Sequence, residues 1–157
     1  PTQCPQLLYR LRNGELPDKL RSKVFWILIG INQLPELCSA EAIVAGILQI
    51  AHEIVSRRPD SIVVLNSLLP KGGPGSDPFT EAIWSQVALV NQWLECYAAE
   101  QERVVFFNAT NLFLQPNTAM TVPEYYLDLV HPSTLGYAQW APAIMNKVVD
   151  LIQTYQL

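Results

Sequence analysis

The stretch Val24-Phe-Trp-Ile-Leu-Ile-Gly-Ile-Asn32 decides the fold class of this 157-residue chain. Its first six residues form an unbroken apolar run, which is typical of a strand that is buried on both faces of a sheet. Gly30 ends the run, and Asn32 places a polar amide just beyond it. We therefore predict a buried strand over 24–29 with a turn at its carboxyl end.

The rest of the chain alternates between helical and strand patterns. After the first strand, isoleucines recur at helical spacing behind a candidate N-cap, Ser39, and Pro59 ends that helix. The predicted strands cover 24–29, 61–69 and 103–108, and the predicted helices cover 39–58, 79–100 and 134–155, the last broken or bent near Pro142. Strands separated by helices must be joined by crossovers, so the sequence predicts an α/β protein with a parallel sheet.

Three segments lack such patterns. Residues 1–20 are predicted to be a loop with a short helix, and 110–130 to be irregular. Residues 71–78 are rich in glycine and proline, which predicts a loop, but they lack the spacing of a phosphate-binding loop.

The length suits a single domain over residues 1–157. Three strands make a thin sheet, and a strand of the buried type at an open edge invites aggregation. We therefore expect at least one more strand, and on balance two, from outside this sequence or from a partner chain. The start at Pro1, without an initiator Met or a signal-like stretch, leads us to expect either processing or a longer chain.

Composition excludes several classes of function. Charged residues make up 15% of the chain, the net charge is −4, and the basic residues are scattered, so nothing indicates nucleic-acid binding. No apolar run approaches the ~20 residues that span a bilayer, so we expect no transmembrane helix. Three distant cysteines without a CxxC pattern predict reduced thiols and no metal site. No feature indicates a cellular compartment.

Ligands of parallel sheets bind beyond the carboxyl ends of the strands, where this sequence places an acid–base pair. Asp128 and His131 are three residues apart, a spacing that lets a carboxylate orient an imidazole as a general base. Pro132 favours a loop conformation at His131, and Ser133 or Thr134 can cap the helix that follows. The alternative is that this pair only shapes the start of that helix.

Asn32 and Gly30 follow the first strand. The Asn32 amide could donate a hydrogen bond to a developing oxyanion, and Gly30 would allow a tight turn and the close approach of a substrate. The alternative is an ordinary turn, since Gly-x-Asn is a common turn composition. His52, in the middle of a helix, is predicted to lie at the surface, and the Asn108-Ala-Thr110 sequon matters only in a secreted protein.

Four segments in their chain order resemble the SGNH (GDSL-type) hydrolase superfamily. The resemblance is closest to the catalytic subunits of the platelet-activating-factor acetylhydrolases. The segments are LYRLRNGEL (8–16), VFWILIGIN (24–32), VVLNSLLPKG (63–72) and DLVHPSTLGY (128–137).

The resemblance implies a flavodoxin-like three-layer α/β/α fold and a set of roles. Asn32 would be the oxyanion donor, and Asp128 and His131 would be the acid and the base of a Ser–His–Asp triad. The GDS serine and the first two strands of the family are absent, so the chain would be the C-terminal two-thirds of such a domain. Gln33 and Asn66 also depart from the family pattern.

Two functional hypotheses follow. The first is a serine esterase or acetylhydrolase domain that acts on a small acyl ester, without a metal ion or an organic cofactor. As a fragment that lacks its nucleophile, the isolated chain should not be an efficient esterase. The alternative is a non-catalytic, esterase-like subunit of a larger assembly, whose other subunits supply or cover the missing strands.

Overall fold

The computed structural model describes residues 2–36, 38–71, 78–128 and 130–157. Residues 72–77 of the predicted loop therefore lie outside the described part of the chain. The regular elements are α1 (Cys4–Arg10), β1 (Val24–Ile27), α2 (Ala40–Arg57), β2 (Ile62–Asn66), α3 (Pro78–Ala99), β3 (Val104–Phe107) and α4 (Thr134–Tyr155). A further helical turn, Leu11–Glu15, extends α1, and two 3₁₀ turns lie in the irregular stretch before α4.

The sheet has the order β1-β2-β3, and both strand pairs are parallel. Val24 pairs with Ile62, and Val63 pairs with Val104, so β2 is the central strand. The parallel α/β architecture predicted from the alternation of elements is confirmed.

Helices cover both faces of the sheet. Val63 and Leu65 of β2 join the apolar core formed with α2 and α3, whereas Ile62 and Val64 pack with Leu151 of α4 on the opposite face. Because both faces are covered, every residue of β2 is buried and its sequence is apolar except at Asn66. The three-layer α/β/α arrangement implied by the resemblance is therefore present.

The first strand is less buried than its sequence predicts. β1 ends at Ile27, and Val24, Phe25 and Trp26 are only half-buried, so the prediction of a fully buried strand over 24–29 is wrong. The reason is that β1 pairs with β2 alone, and its other edge has no strand partner within the described residues.

Asn66 is a buried polar residue in the central strand, and its hydrogen bonds are satisfied. Its Oδ1 atom accepts a hydrogen bond of 3.0 Å from the indole N–H of Trp26, and its amide donates to the carbonyl of Ser67. This departure from the family pattern therefore joins β1 to β2 without leaving an unpaired polar group.

The helix boundaries follow local signals. The Ser39 hydroxyl accepts a hydrogen bond from the Ala42 N–H, and α2 ends before Pro59, as predicted. α4 runs through Pro142 as one helix, so of the two predicted outcomes, a break or a bend, the break does not occur. Pro142 and Ala138 are both exposed, so water can reach the Ala138 carbonyl that loses its helical partner. The isoleucines that recur at helical spacing along α2 are buried, namely Ile43, Ile47, Ile50 and Ile54.

Gly30 is required by backbone conformation and by packing. Its φ of +118° lies in the left-handed region, and a Cβ there would lie 2.8 Å from Cγ2 of Ile43 and 3.3 Å from Cδ1 of Ile47. Gly30 thus permits a close approach to α2, while the expected close approach of a substrate stays a prediction.

The cysteines agree with the prediction of reduced thiols. All three are free; Cys4 is buried, Cys38 is partly buried and Cys96 is exposed. Burial raises the pKa of the Cys4 thiol to about 11. No described helix has both the length and the apolar character needed to cross a bilayer.

We predict that Gly30→Ala destabilises the fold far more than Gly14→Ala. Gly14 has nearly the same φ, +112°, but nothing lies within 4 Å of the position of its added Cβ. The Gly14 variant should lose about 1–2 kcal/mol from backbone strain, and the Gly30 variant about 3 kcal/mol or more because overpacking against α2 is added. Urea unfolding of both variants measures the difference, and equal losses would show that the contact with α2 is unimportant.

Candidate active site

The acid–base pair lies on a tight loop before α4. Oδ1 of Asp128 accepts hydrogen bonds from the backbone N–H groups of Val130, at 2.7 Å, and His131, at 2.8 Å. Oδ2 of Asp128 lies 2.8 Å from Nδ1 of His131. The backbone N–H of Leu127 also donates to the His131 carbonyl at 2.8 Å, which closes the loop. The three-residue spacing therefore brings the carboxylate to the imidazole, as predicted.

These hydrogen bonds set the ionisation of Asp128. They lower the pKa of the carboxyl group to about 2, mainly through the backbone N–H of His131, then through its imidazole and the N–H of Val130. An ionised carboxylate makes Nδ1 of His131 the protonated nitrogen and leaves Nε2 as a hydrogen-bond acceptor. The His131 side chain is 71% exposed, so this imidazole is accessible.

Tyr126 ties this loop to the sheet. Its hydroxyl donates a 2.7 Å hydrogen bond to the Pro70 carbonyl, just beyond the end of β2, and its backbone forms a bridge with Pro132. Burial raises the pKa of the Tyr126 hydroxyl well above its ordinary value, which keeps it protonated and able to donate. The position of His131 relative to β2 therefore depends on a side chain that sequence reasoning did not identify.

The start of α4 is packed onto the same loop. Ser133 is the N-cap, as one of the two predicted alternatives: its hydroxyl accepts from the Gly136 N–H at 3.2 Å and donates to the Glu124 carbonyl at 2.5 Å. A side chain at Gly136 would collide with the Tyr125 carbonyl. The glycine thus lets the first turn of α4 approach the loop that carries His131.

Asn32 lies on the 3₁₀ turn Ile31–Gln33 that follows Gly30. Its Nδ2 atom donates a hydrogen bond of 3.2 Å to the Thr2 carbonyl. An amide nitrogen carries two hydrogens, so this bond orients the group and leaves its second hydrogen unused. Gln33 is buried, and its side-chain oxygen accepts a 3.0 Å hydrogen bond from the Cys4 N–H. This residue, which departs from the family pattern, therefore has a structural role in the interior.

Asn32 and His131 meet in one cleft at the carboxyl ends of β1 and β2. The cleft has a volume of about 220 Å³. Asp128 lies behind His131, and Gly30 is not among the lining residues. The cleft is lined by Leu28, Ile31, Asn32, Leu69, Pro70, Lys71, Val130, His131, Pro132, Tyr137 and Trp140. The structure thus brings together the two side chains that the sequence placed at the same sheet edge, while their catalytic roles remain a prediction.

The wall of the cleft includes two aromatic residues of α4. Tyr137 and Trp140 stack with ring centroids 6.1 Å apart, and Trp140 makes an edge contact with Phe113. Trp140 is 7% exposed, and its buried indole N–H has no hydrogen-bond acceptor within the described residues. The available sequence signal was the i, i+3 spacing of this pair, which lies one to two turns after the start of α4.

The other candidate residues lie outside the cleft. His52 is exposed on α2, as predicted. Asn108 accepts a hydrogen bond from the Thr110 N–H at 3.0 Å and so shapes a local turn. No serine of the described part of the chain lines the cleft. Residues 2–36, 38–71, 78–128 and 130–157 contain no cluster of His, Cys, Asp and Glu that could hold a metal ion.

Comparison with known proteins identifies the family. The sequence model of the GDSL-like lipase/acylhydrolase family matches residues 2–139, which is most of the chain. The chain belongs to this family. The resemblance to this superfamily that the sequence indicated is therefore confirmed.

Curated relatives of this GDSL-like chain include subunits of platelet-activating factor acetylhydrolase IB. The alpha1 subunit of Pongo abelii is 30% identical over 146 residues, which cover 93% of this chain and 59% of the relative. The alpha2 subunit of Bos taurus is 26% identical over 147 residues, covering 94% of this chain and 60% of the relative. The chain thus spans about three-fifths of the length of these relatives.

Solved structures agree on the fold of this GDSL-like chain. A GDSL-like lipase from Bacteroides thetaiotaomicron superposes with a TM-score of 0.78 at 20% identity, covering 95% of this chain and 72% of that one. A carbohydrate esterase family 3 structure from Talaromyces cellulolyticus gives 0.75 at 17% identity, covering 98% and 69%. At such identities the likeness establishes the α/β fold alone.

We predict that His131→Ala raises the pKa of Asp128 from about 2 toward, but not up to, the ordinary value of 3.8, because the backbone N–H donors remain. A pKa that is lower in the folded state means that the ionised carboxylate favours folding above about pH 4. This contribution is lost as the pH falls through about 2. Carboxyl ¹³C NMR titration measures the change. His52→Ala, at the other histidine, should leave the Asp128 titration unchanged, and an unaltered pKa in His131→Ala would contradict the assigned cause.

We predict that Tyr126→Phe lowers the free energy of unfolding by about 1 kcal/mol, because the buried Pro70 hydrogen bond is lost. The neighbouring Tyr125→Phe serves as the matched control and should be nearly neutral. Urea unfolding gives the stabilities, and ¹⁵N relaxation at His131 reports the loop. If the two variants are equally stable and the loop is equally rigid, Tyr126 does not position it.

Proposed function

We propose that this chain carries the general base, its orienting carboxylate and an oxyanion donor of an SGNH-type serine esterase or acetylhydrolase that acts on a small acyl ester. The observation that carries the proposal is that Asn32 and His131 line the same cleft. A base and an oxyanion donor must reach the same reacting carbonyl group, and only a shared cleft allows this.

Each residue has a defined part in the proposed reaction. Nε2 of His131 removes the proton from a serine hydroxyl as its oxygen attacks the ester carbonyl carbon, and Asp128 stabilises the resulting imidazolium. The free amide hydrogen of Asn32 donates to the oxyanion. The imidazolium then protonates the departing alcohol, and water hydrolyses the acyl-serine by the same steps.

We place the missing serine on a strand–helix unit beside β1 that precedes this sequence in the same polypeptide. Three observations support this placement. β1 has an open edge within the described sheet, and the matched relatives are longer than this chain. Exposed apolar side chains also lie at the end of β1 and along one stripe of α4, namely at Leu28, Met145, Val149 and Ile152. Apolar surface of this kind is typical of a face that another element covers.

An esterase-like interaction subunit is the second candidate. The observation that favours it is the hydrogen bond from Asn32 to the Thr2 carbonyl, which already uses one hydrogen of the amide. In this case the Asp128–His131 pair would serve only to shape the loop before α4.

A fluorophosphonate probe applied to the natural full-length polypeptide distinguishes the two candidates. Labelling of a serine, and ester hydrolysis, should fall by about 10⁴-fold in His131→Ala and by about 10²–10³-fold in Asn32→Ala. His52→Ala and Asn111→Ala are matched controls outside the cleft and should retain activity. A folded full-length protein that neither takes the label nor hydrolyses esters would overturn the esterase proposal and support the interaction subunit. Labelling that requires a second subunit would indicate that the nucleophilic serine belongs to a partner chain.

A further inference from the structure

The charge of the cleft indicates what kind of ester it binds. We infer that the proposed substrate carries an anionic group beside its ester and that Lys71 holds this group. This inference rests on the proposed function, because it names the substrate class of the same cleft. Lys71 lines the cleft together with His131 and Asn32.

The described side chains that line the cleft include one cation and no carboxylate. Lys71 contributes the ammonium group, and Asn32 contributes an amide hydrogen. The acceptors among these side chains are neutral, namely the Asn32 amide oxygen, the His131 imidazole and the Tyr137 hydroxyl. Such a surface favours a ligand rich in acceptor oxygens.

The ammonium group of Lys71 is not neutralised by its described surroundings. The nearby Asp128 carboxylate is already engaged by two backbone N–H groups and the His131 imidazole. No ion pair joins Lys71 to another residue of the described ranges 2–36, 38–71, 78–128 and 130–157. An anion in the cleft would therefore meet a cation that has no ion-pair partner among the described residues, and this attraction is strengthened where apolar walls exclude water.

The backbone at Lys71 is held in place. Its neighbour Pro70 accepts the Tyr126 hydrogen bond, which also fixes the loop carrying His131. The cation and the proposed base are thus anchored to the same point at the end of β2. The remaining lining of the cleft is largely apolar, as is common in sites for small ligands. A carboxylate and a phosphate would satisfy the same ammonium group.

A matched pair of aryl acetates tests the inference on the natural full-length polypeptide. 4-Acetoxybenzoate and 4-acetoxybenzamide have similar size and differ in charge. We expect kcat/KM to favour the anionic ester, and Lys71→Gln to reduce this preference by about tenfold, the effect of one charge-assisted hydrogen bond. Lys71→Arg should keep the preference because it keeps the charge. Lys23→Gln is the control, since Lys23 precedes β1 at the opposite end of the sheet.

The outcomes separate this inference from the proposed function. If Lys71→Gln and the unmodified protein prefer the anionic ester equally, the inference is overturned while the esterase proposal stands. If neither ester is hydrolysed, the esterase proposal fails, and calorimetric binding of 4-hydroxybenzoate and 4-hydroxybenzamide decides the inference. Tighter binding of the anion that is lost in Lys71→Gln supports it, and equal binding overturns it. Added salt should weaken the preference in either assay.

Discussion

The buried hydrogen bond from the Tyr126 hydroxyl to the Pro70 carbonyl connects the sheet to the loop that carries the acid–base pair. The described residues between β3 and α4 form only short 3₁₀ turns and isolated bridges, so the sheet does not fix their conformation. Contacts between side chains and backbone do so instead. The Ser133 N-cap fixes the end of this stretch at α4. The Asp128 carboxylate accepts hydrogen bonds from the backbone N–H groups of Val130 and His131 within the loop. The geometry of the candidate site therefore depends on a few polar contacts around an irregular segment.

Much of the fold could be predicted because its helices and strands follow from the local periodicity of apolar residues. The isoleucine stripe of α2, its Ser39 cap and the apolar run of β2 identify their elements without knowledge of the rest of the chain. The burial of β1 could not be predicted in this way, because it depends on whether another strand lies at its open edge. The continuity of α4 through Pro142 could not be predicted for a related reason: the consequence of a helical proline depends on the exposure of the carbonyl that loses its partner.

The candidate site likewise contains residues that the sequence could identify and residues that it could not. Asn32, Asp128 and His131 stand in recognisable patterns, and the rule that parallel strands end at one edge predicts that they come together. Tyr126 stands in no such pattern. Its position results from a tertiary contact with Pro70 that no local spacing encodes. The contact that requires the small size of Gly30 could not be predicted from its turn pattern, because the atoms involved belong to a helix distant in sequence.

The contact between Gly30 and α2 has a consequence for how this protein can evolve. The isoleucines at 43 and 47 fill the space beneath the turn, and Asn32 lies two residues further along that turn. A change in the volume of either isoleucine therefore shifts the platform on which the amide rests, although neither side chain reaches the cleft. With Asn32 as the proposed oxyanion donor, interior substitutions in this helix would affect reactivity as well as folding. Engineering for heat tolerance at these positions would then also alter the proposed oxyanion geometry.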